Sequence, residues 1–292
     1  MHIRVGYDIV FDCPAPTPMI LMLSVRPERT GDLLTPQIMR VTPEAPLSHG
    51  ADEFGNIRTR VAAPAGPVRF QADFMIADRG MPDPVRPEAA QQPIEELPGE
   101  VLVYLLGSRY CDIDRLGDAA WSLFSEAPPG WPRVQAVCDF VHETLTFGYE
   151  FARPTRTASE ALEERVGVCR DFAHLAVAFC RCLHIPARYV TGYLGDIGVP
   201  PSGPMDFSAW FEAWLDGRWW TFDARHNRPR VGRIPIAIGR DAVDAAISTS
   251  FGRTGLLRFQ VIAEEAPGRA PSPRQASNAG PSAVLNGASQ GP

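Results

Sequence analysis

The six cysteines are the candidate nucleophiles of this sequence, because lysine is absent. All 28 basic residues are arginine, which excludes mechanisms that need a Schiff-base lysine, a phosphate-loop lysine or a Ser-Lys dyad. Cys169 differs from the other cysteines by position, since it follows the small-residue turn 166–168 and begins a predicted helix. A helix N-terminus favours a thiolate and can bind an oxyanion. We therefore predict that Cys169 is the nucleophile, with Arg170 adding positive charge and Asp171 opposing it.

A predicted hairpin after this helix places an acid near the same site. Two apolar runs, residues 207–215 and 218–223, flank Asp216-Gly217, which is a strong signal for a two-residue hairpin turn. If the strands pair across this turn, Ser208 and Asp223 are diagonal neighbours on one face. An acid there can orient a base at position 208 toward a cysteine on a facing helix. Asp223 also fits an ordinary turn residue at the end of a strand.

These residues lie in segments that resemble the bacterial transglutaminase-like superfamily. Segment 167–175 (Gly-Val-Cys-Arg-Asp-Phe-Ala-His-Leu) resembles the nucleophile segment of that family, and segment 185–193 is similar to the strand that follows it. Segments 209–213 and 220–227 are similar to the hairpin that carries the family's histidine and aspartate. The resemblance covers residues 1–265 and rests on several motifs in the same order.

The resemblance implies a papain-like core in which a Cys-His-Asp triad performs acyl transfer on amide bonds. By position, it implies Cys169 as the nucleophile and Asp223 as the residue that orients the base. The family pattern His-Ala-Trp reads Ser208-Ala209-Trp210 in this chain, so a serine occupies the histidine position. A serine hydroxyl stays neutral at working pH and cannot replace a general acid–base, whose loss typically costs about 10²–10⁴ in rate.

Two other histidines are candidates for the missing base. His226 lies three residues after Asp223, but regular strand pairing puts its ring on the opposite face, so it needs a bulge or a turn to reach the site. His174 lies on the same helix as Cys169, about 140° around the axis on a predicted polar face. We predict His226 as the better substitute, and each histidine also fits a structural role in which its ring bonds a neighbouring acid or backbone group.

Two functions from different classes remain open. The first is a cytoplasmic cysteine hydrolase or acyltransferase, a peptidase or amidase that cleaves peptide or glutamine-type amides through a Cys169 thioester. The second is a catalytically impaired pseudoenzyme that keeps the cleft as a binding or scaffolding module, because position 208 holds serine. The retained Cys169 and Asp223 favour the first function, whereas Ser208 favours the second.

The sequence implies no metal and no organic cofactor. Cys180, Cys182 and His184 resemble a metal cluster, but successive members lie about 200° apart on a helix and cannot surround one ion. The tryptophans of the hairpin fit sheet packing better than a stacking platform for carbohydrate. The cysteines other than Cys169 are expected to be structural, and most fit a small buried hydrophobe.

Charge and hydropathy restrict the partners. The net charge is −6 and the basic residues are scattered, which argues against a nucleic-acid surface. No run approaches about 18 apolar residues, so a membrane-spanning helix is excluded. Residues 1–5 lack the basic-then-apolar pattern of a secretory signal, so we expect a cytoplasmic protein without disulfides. The expected partner is a peptide or protein substrate.

The elements that must position these residues follow from hydrophobic periodicity. Strict alternation at residues 3–11 and 68–76 predicts strands of an antiparallel sandwich, and helical periodicity begins beyond the Pro-rich stretch 81–98. Thr157 with Glu160 predicts a capping box. The predicted fold is α+β, with an N-terminal β-sandwich-like region (1–96), a papain-like or transglutaminase-like catalytic core (97–265) and a disordered tail (266–292).

Overall fold

A computed structural model describes residues 1–201 and 205–266, so the predicted tail lies outside the described residues except for Ala266. The strands are β1 (His2–Cys13), β2 (Thr17–Leu21), β3 (Arg40–Thr42), β4 (Leu47–Ala51), β5 (Ile57–Ala63), β6 (Gly66–Ala77), β7 (Thr146–Phe147), β8 (Val166–Gly167), β9 (Ala187–Leu194), β10 (Ser208–Leu215), β11 (Arg218–Phe222), β12 (Arg233–Gly239), β13 (Ser248–Ser250) and β14 (Gly255–Glu265). The α-helices are α1 (Gly117–Phe124), α2 (Trp131–Thr144), α3 (Ala158–Glu164) and α4 (Cys169–Cys182). Short 3-10 turns cover Pro27–Asp32, Ile94–Glu96, Gly99–Leu105, Ile113–Arg115 and Tyr149–Phe151.

The N-terminal part consists of two antiparallel sheets, as the alternation predicts. One has the strand order β14-β1-β6-β3 and the other β13-β2-β5-β4. Inward residues of β1, such as Ile3, Val5 and Ile9, are at most 1% exposed, because a strand sends alternate side chains to opposite faces. They pack in one core with residues of the second region, including Tyr193 and Phe207.

The predicted division at residues 96 and 97 does not follow the sheets. β13 and β14 belong to the segment assigned to the catalytic core, yet β13 pairs with β2 and β14 pairs with β1. β1 is a central strand of its sheet. β6 pairs with one of its edges, and β14, which comes from the end of the described chain, pairs with the other. The second region thus supplies the last strands of the first.

The second region is built around α4 and the antiparallel sheet β11-β10-β9-β12. α4 packs on β9 and β10, and α1, α2 and α3 pack against α4. The predicted polar face of α4 is wrong, because every residue from Asp171 to Cys182 is buried. Arg181 on that face donates hydrogen bonds to the carbonyl oxygens of Leu106, Ala187 and Arg240. Hydrophobic periodicity predicts which face of the helix is apolar, but it does not predict that a polar face is buried when its side chains bond to carbonyl groups of other segments.

A capping box and a short parallel pair set the start of α4. Thr157 and Glu160 form the predicted capping box, in which the Thr157 N–H donates to the Glu160 carboxylate at 3.0 Å. α3 ends at Glu164, and its C-cap residue Arg165 has a left-handed φ of 56°. Immediately after it, β8 pairs in parallel with β7. This pairing fixes the chain immediately before Cys169.

No helix in the described parts of the chain is both long and apolar enough to cross a membrane. The α-helices that the structure describes are short, and α2 and α4 each contain 14 residues.

Candidate functional site

Cys169 begins α4, as predicted, and its thiol faces the start of β10. The Cys169 Sγ lies 4.0 Å from the Phe207 carbonyl oxygen, and the Ala209 backbone N–H also faces the sulfur. Burial raises the pKa of the Cys169 thiol to about 11, although the Arg225 guanidinium opposes this shift. Desolvation of this thiol thus outweighs the favourable charges near it.

Arg225, and not the predicted Arg170, is the arginine whose positive charge acts on the Cys169 thiol. The Arg170 guanidinium donates to the Asp171 carboxylate at 3.3 Å and lies 5.5 Å from the centre of the Tyr110 ring. Arg225 instead supplies positive charge near the thiol, and its guanidinium lies 3.6 Å from the centre of the Phe147 ring. A cation in this position favours the ionised form of the cysteine.

The hairpin has the predicted register but is shorter than predicted. Leu215 pairs with Arg218, and the pairing continues to Phe211 opposite Phe222, where β11 ends. Ser208 therefore has no partner in β11 and pairs on its other side with Gly192 of β9. The Ser208 side chain is buried, and its hydroxyl has no hydrogen-bond partner among the described residues.

The chain turns immediately after β11, and this turn brings His226 to Asp223. Oδ1 of Asp223 accepts the backbone N–H groups of Arg225 and His226, each at 3.0 Å. Oδ2 of Asp223 lies 2.8 Å from Nδ1 of the His226 ring. The extended pairing that would put His226 on the opposite face does not occur, because the aspartate side chain stabilises a turn in its place.

Asp223 also accepts a hydrogen bond from Arg233. The Arg233 guanidinium donates to Oδ2 of Asp223 at 2.8 Å, and the two side chains are 6% and 2% exposed. Burial alone raises the pKa of the Asp223 carboxyl, but Arg233 and His226 outweigh burial and hold this pKa well below its usual range. Sequence reasoning missed Arg233, because no motif connects it to the Asp223 turn.

Ser208 and His226 line the same small pocket. The pocket has a volume of about 30 Å³, and Tyr149, Asp206 and Arg225 also line it. Burial raises the pKa of the Asp206 carboxyl. A pocket of this size has room for a water molecule, and the Ser208 hydroxyl is a polar partner for such a molecule. The structure thus brings His226, Asp223 and Ser208 together beside the strand that faces Cys169.

His174, the other histidine candidate, lies away from this pocket. Its ring is buried and stacks on Tyr110, with ring centres 5.0 Å apart, and its Nε2 accepts the backbone N–H of Ala242 at 3.1 Å. Burial lowers the pKa of the His174 ring well below its usual value, so the ring is neutral. It has a structural role that joins α4 to the loop at Ala242.

The remaining cysteines are buried in the two cores. The Cys182 thiol donates to the Ile113 carbonyl at 3.4 Å, and burial raises the pKa of the Cys180 thiol. Within residues 1–201 and 205–266, no group of three or more His, Cys, Asp or Glu side chains has an arrangement that could hold a metal ion. The hairpin tryptophans pack within the sheet, where Trp214 and Trp219 are 5.2 Å apart edge to face.

Comparison with known proteins gives the family of the region that carries the site. The family model of the transglutaminase-like superfamily matches residues 122–224. The crystal structure of a candidate cysteine protease from Cytophaga hutchinsonii is similar with a TM-score of 0.80 and 29% identity, and the match covers 92% of each chain. The chain is 38% identical over 110 residues to protein ML0607 of Mycobacterium leprae and 34% identical over 131 residues to protein Rv2569c of Mycobacterium tuberculosis.

The two mycobacterial matches cover 36% and 40% of this chain, and 39% and 41% of the relatives, so the shared segment spans about two fifths of their length. The solved structure extends the likeness over both the N-terminal sheets and the second region. Cys169, Ser208 and Asp223 all lie within the segment that the family model matches. Residues 122–224 therefore form a domain of the transglutaminase-like superfamily.

Proposed function

We propose that this protein is a cysteine hydrolase or acyltransferase that acts on amide bonds of peptide or protein substrates through a Cys169 thioester. The observation that carries the proposal is the 2.8 Å contact between His226 Nδ1 and Asp223 Oδ2, next to the strand that faces Cys169. This contact supplies an oriented imidazole even though the family's histidine position holds Ser208. The likeness to a candidate cysteine protease also supports it.

The raised pKa of the Cys169 thiol makes a base necessary. With a pKa of about 11, only about one thiol in 10⁴ is ionised at pH 7. The proton must therefore leave during the attack. In the proposed reaction, the thiol proton passes to Nε2 of His226, the ring whose Nδ1 is held by Asp223.

The remaining steps follow from this transfer. The Cys169 sulfur forms a bond to the amide carbonyl carbon, the carbon–nitrogen bond breaks, and the leaving amine takes the proton from His226. Water then attacks the thioester and releases a carboxylic acid, which restores the thiol, or a second amine attacks and forms a new amide. The Ala209 N–H faces the sulfur and favours its ionised form as the proton leaves.

A second candidate function is a binding module without catalysis. The observation that favours it is Ser208, because the hydroxyl at the family's histidine position has no hydrogen-bond partner among the described residues and cannot carry a proton back to a leaving amine. In this case the cleft binds a peptide, and Cys169 stays a protonated thiol. The two functions differ in whether an acyl-enzyme forms.

Hydroxylamine trapping distinguishes these functions. The full chain is incubated with a mixture of peptides and hydroxylamine, which converts a thioester into a hydroxamate that mass spectrometry detects. We expect hydroxamates from the unmodified protein, none from Cys169→Ala, and about 10²-fold less from His226→Gln because the general base is lost. His184→Asn is the matched control, because His184 is exposed, contacts Trp121 and has a left-handed backbone that asparagine adopts readily.

Equal signals from the unmodified protein and Cys169→Ala would reject an enzyme and support the binding module. A Cys169-dependent signal that His226→Gln leaves unchanged would reject His226 as the base. Ser208→His then serves as a further check, because a gain of hydroxamate only in this variant would identify the native chain as the impaired form.

A further inference from the structure

Four charged or titratable side chains form a continuous series that begins outside the hairpin. Asp83 accepts a hydrogen bond from Arg233 Nε at 2.9 Å, and Arg233 Nη2 donates to Asp223 Oδ2 at 2.8 Å. The same Oδ2 lies 2.8 Å from Nδ1 of His226. The signs of the first three groups alternate, and the Arg233 and Asp223 side chains are almost completely buried.

Asp223 needs a cationic partner to stay ionised in this position. A buried carboxylate is costly unless opposite charge and hydrogen bonds compensate its lost hydration. The two backbone N–H groups of Arg225 and His226 occupy Oδ1, so Arg233 is the charged donor at the oxygen that also faces the imidazole. Without it, a neutral carboxyl loses its charge-assisted bond to His226.

Asp83 fixes Arg233 in turn, although it lies in the Pro-rich connection 150 positions earlier in the chain. The Asp83 N–H donates to the Arg230 carbonyl at 2.9 Å, and the Asp83 carboxylate accepts the Arg230 N–H at 2.9 Å. The Arg233 guanidinium also lies 5.0 Å from the centre of the Trp210 ring, which limits its other rotamers. These hydrogen bonds thus hold the Pro-rich stretch 81–98 against the loop that precedes β12.

We propose that Arg233, anchored by Asp83, is a positioning residue that keeps the Asp223 carboxylate ionised and directed at His226. This inference rests on the proposed function in so far as His226 acts as the base. Its structural part is that Asp83, Arg233 and Asp223 together orient the His226 ring. This part does not depend on any reaction. Neither Asp83 nor Arg233 lines the pocket shared by Ser208 and His226, and both act through Asp223.

The test uses the full chain labelled with ¹⁵N-histidine and follows the His226 Nδ1–H resonance by NMR. The resonance is assigned by its absence in His226→Gln. A proton held between an imidazole and a carboxylate resonates far downfield and exchanges slowly with water. We expect it in the unmodified protein, expect its loss in Arg233→Met, and expect Arg233→Lys to retain it because the positive charge remains. Asp83→Asn weakens it, because Arg233 loses its anchor.

Arg188→Met is the matched control. Arg188 lies in the same sheet, pairs with the Glu212 carboxylate at 2.6 Å and lies 4.2 Å from the centre of the Trp219 ring. It thus shares the ion pair and the tryptophan contact of Arg233 but not the link to Asp223. A resonance that survives in Arg233→Met and Asp83→Asn at an unchanged position would overturn the proposal. So would equal losses in Arg188→Met and Arg233→Met.

A second readout separates this inference from the proposed function. Alkylation of Cys169 by iodoacetamide at pH 7 is measured by mass spectrometry of the Cys169 peptide, and we expect Arg233→Met to slow it about tenfold and Arg233→Lys to restore it. If the NMR effects occur but no variant changes alkylation, Arg233 positions the ring and His226 is not the base. If alkylation falls while the resonance stays, the positioning role is wrong.

Discussion

Cys169 and Asp223 are two acids of one site, the first half-buried and the second buried, and their pKa values shift in opposite directions. Burial raises the pKa of each group, because a charge loses hydration in the interior. Around Cys169, the opposing contributions of Arg225 and the Ala209 N–H leave the thiol pKa high at about 11. Around Asp223, Arg233 and His226 reverse the effect. The comparison shows that hydrogen-bonded charge partners, and not depth in the fold, set the direction in which the pKa of each acid shifts.

Removal of Arg233, the charged partner of Asp223, should have the largest effect on the comparison. We expect Arg233→Met to lower the free energy of unfolding at pH 7 by about 3–5 kcal/mol, because it leaves a buried carboxylate without its cation. Urea denaturation measures this value. Replacement of Arg153, which is 40% exposed and pairs with Glu160, should cost less than about 1 kcal/mol. Equal losses would show that Asp223 does not depend on its partner.

Acid unfolding tests the ionised state of Asp223 directly. A carboxyl whose pKa is lower in the folded than in the unfolded protein stabilises the fold above its unfolded pKa of about 3.9, and this contribution is lost as the pH falls toward the folded pKa. We expect Asp223→Asn to remove on the order of 2 kcal/mol of the pH dependence between about pH 4 and 2. Urea titrations at these pH values, compared with Asp118→Asn on α1, provide the measurement.

Placing a histidine at position 208 should bring the pKa of the Cys169 thiol closer to that of the Asp223 carboxyl. In Ser208→His, an imidazolium next to the thiol favours the thiolate, so we expect the pH midpoint of Cys169 alkylation to fall and the rate at pH 7 to rise about tenfold. The control is Ser208→Asn, which adds a polar side chain without a titratable ring. A similar gain in both variants would attribute the change to space or solvent access and not to charge.

The smallest expected change concerns the cation that Cys169 already has. We expect Arg225→Gln to raise the pKa of the Cys169 thiol further and to slow alkylation at pH 7 about threefold, because Arg225 is the nearby cation that opposes burial. Arg225→Lys should restore most of the rate. If Arg170→Gln has the larger effect, the role assigned to Arg225 is wrong, since Arg170 makes its contacts with Asp171 and Tyr110.

The sequence predicts the local parts of this site well. The small-residue turn before Cys169, the Thr157 capping box and the Asp216-Gly217 turn each act over a few residues, and the helix start, the cap and the hairpin register are confirmed. The α+β fold is also confirmed. Signals of this kind succeed because their physical cause lies within the same short segment.

The partners of Asp223 are not predictable in this way. Regular pairing extended past Asp223 would put His226 on the opposite face, and the sequence does not show that a turn replaces it. The Asp223 side chain accepts the backbone N–H groups of Arg225 and His226 and stabilises the turn that brings His226 to it. Asp83 and Arg233 are 150 positions apart, and only the folded connection brings them together. The prediction of a polar face on α4 is wrong for a similar reason, because the carbonyl groups that bond Arg181 and bury this face belong to distant segments.

The returning strand β14 has a consequence for the order in which the protein can form. β1 and β6 can pair once about a quarter of the chain has left the ribosome, but the other edge of β1 stays open until residues 255–265 emerge. The helices and the sheet of the second region are therefore synthesised completely while β1 still exposes unpaired backbone groups at one edge. When β14 docks, the Ala266 N–H donates to the His2 carbonyl at 2.9 Å, so the first and last described strands end side by side.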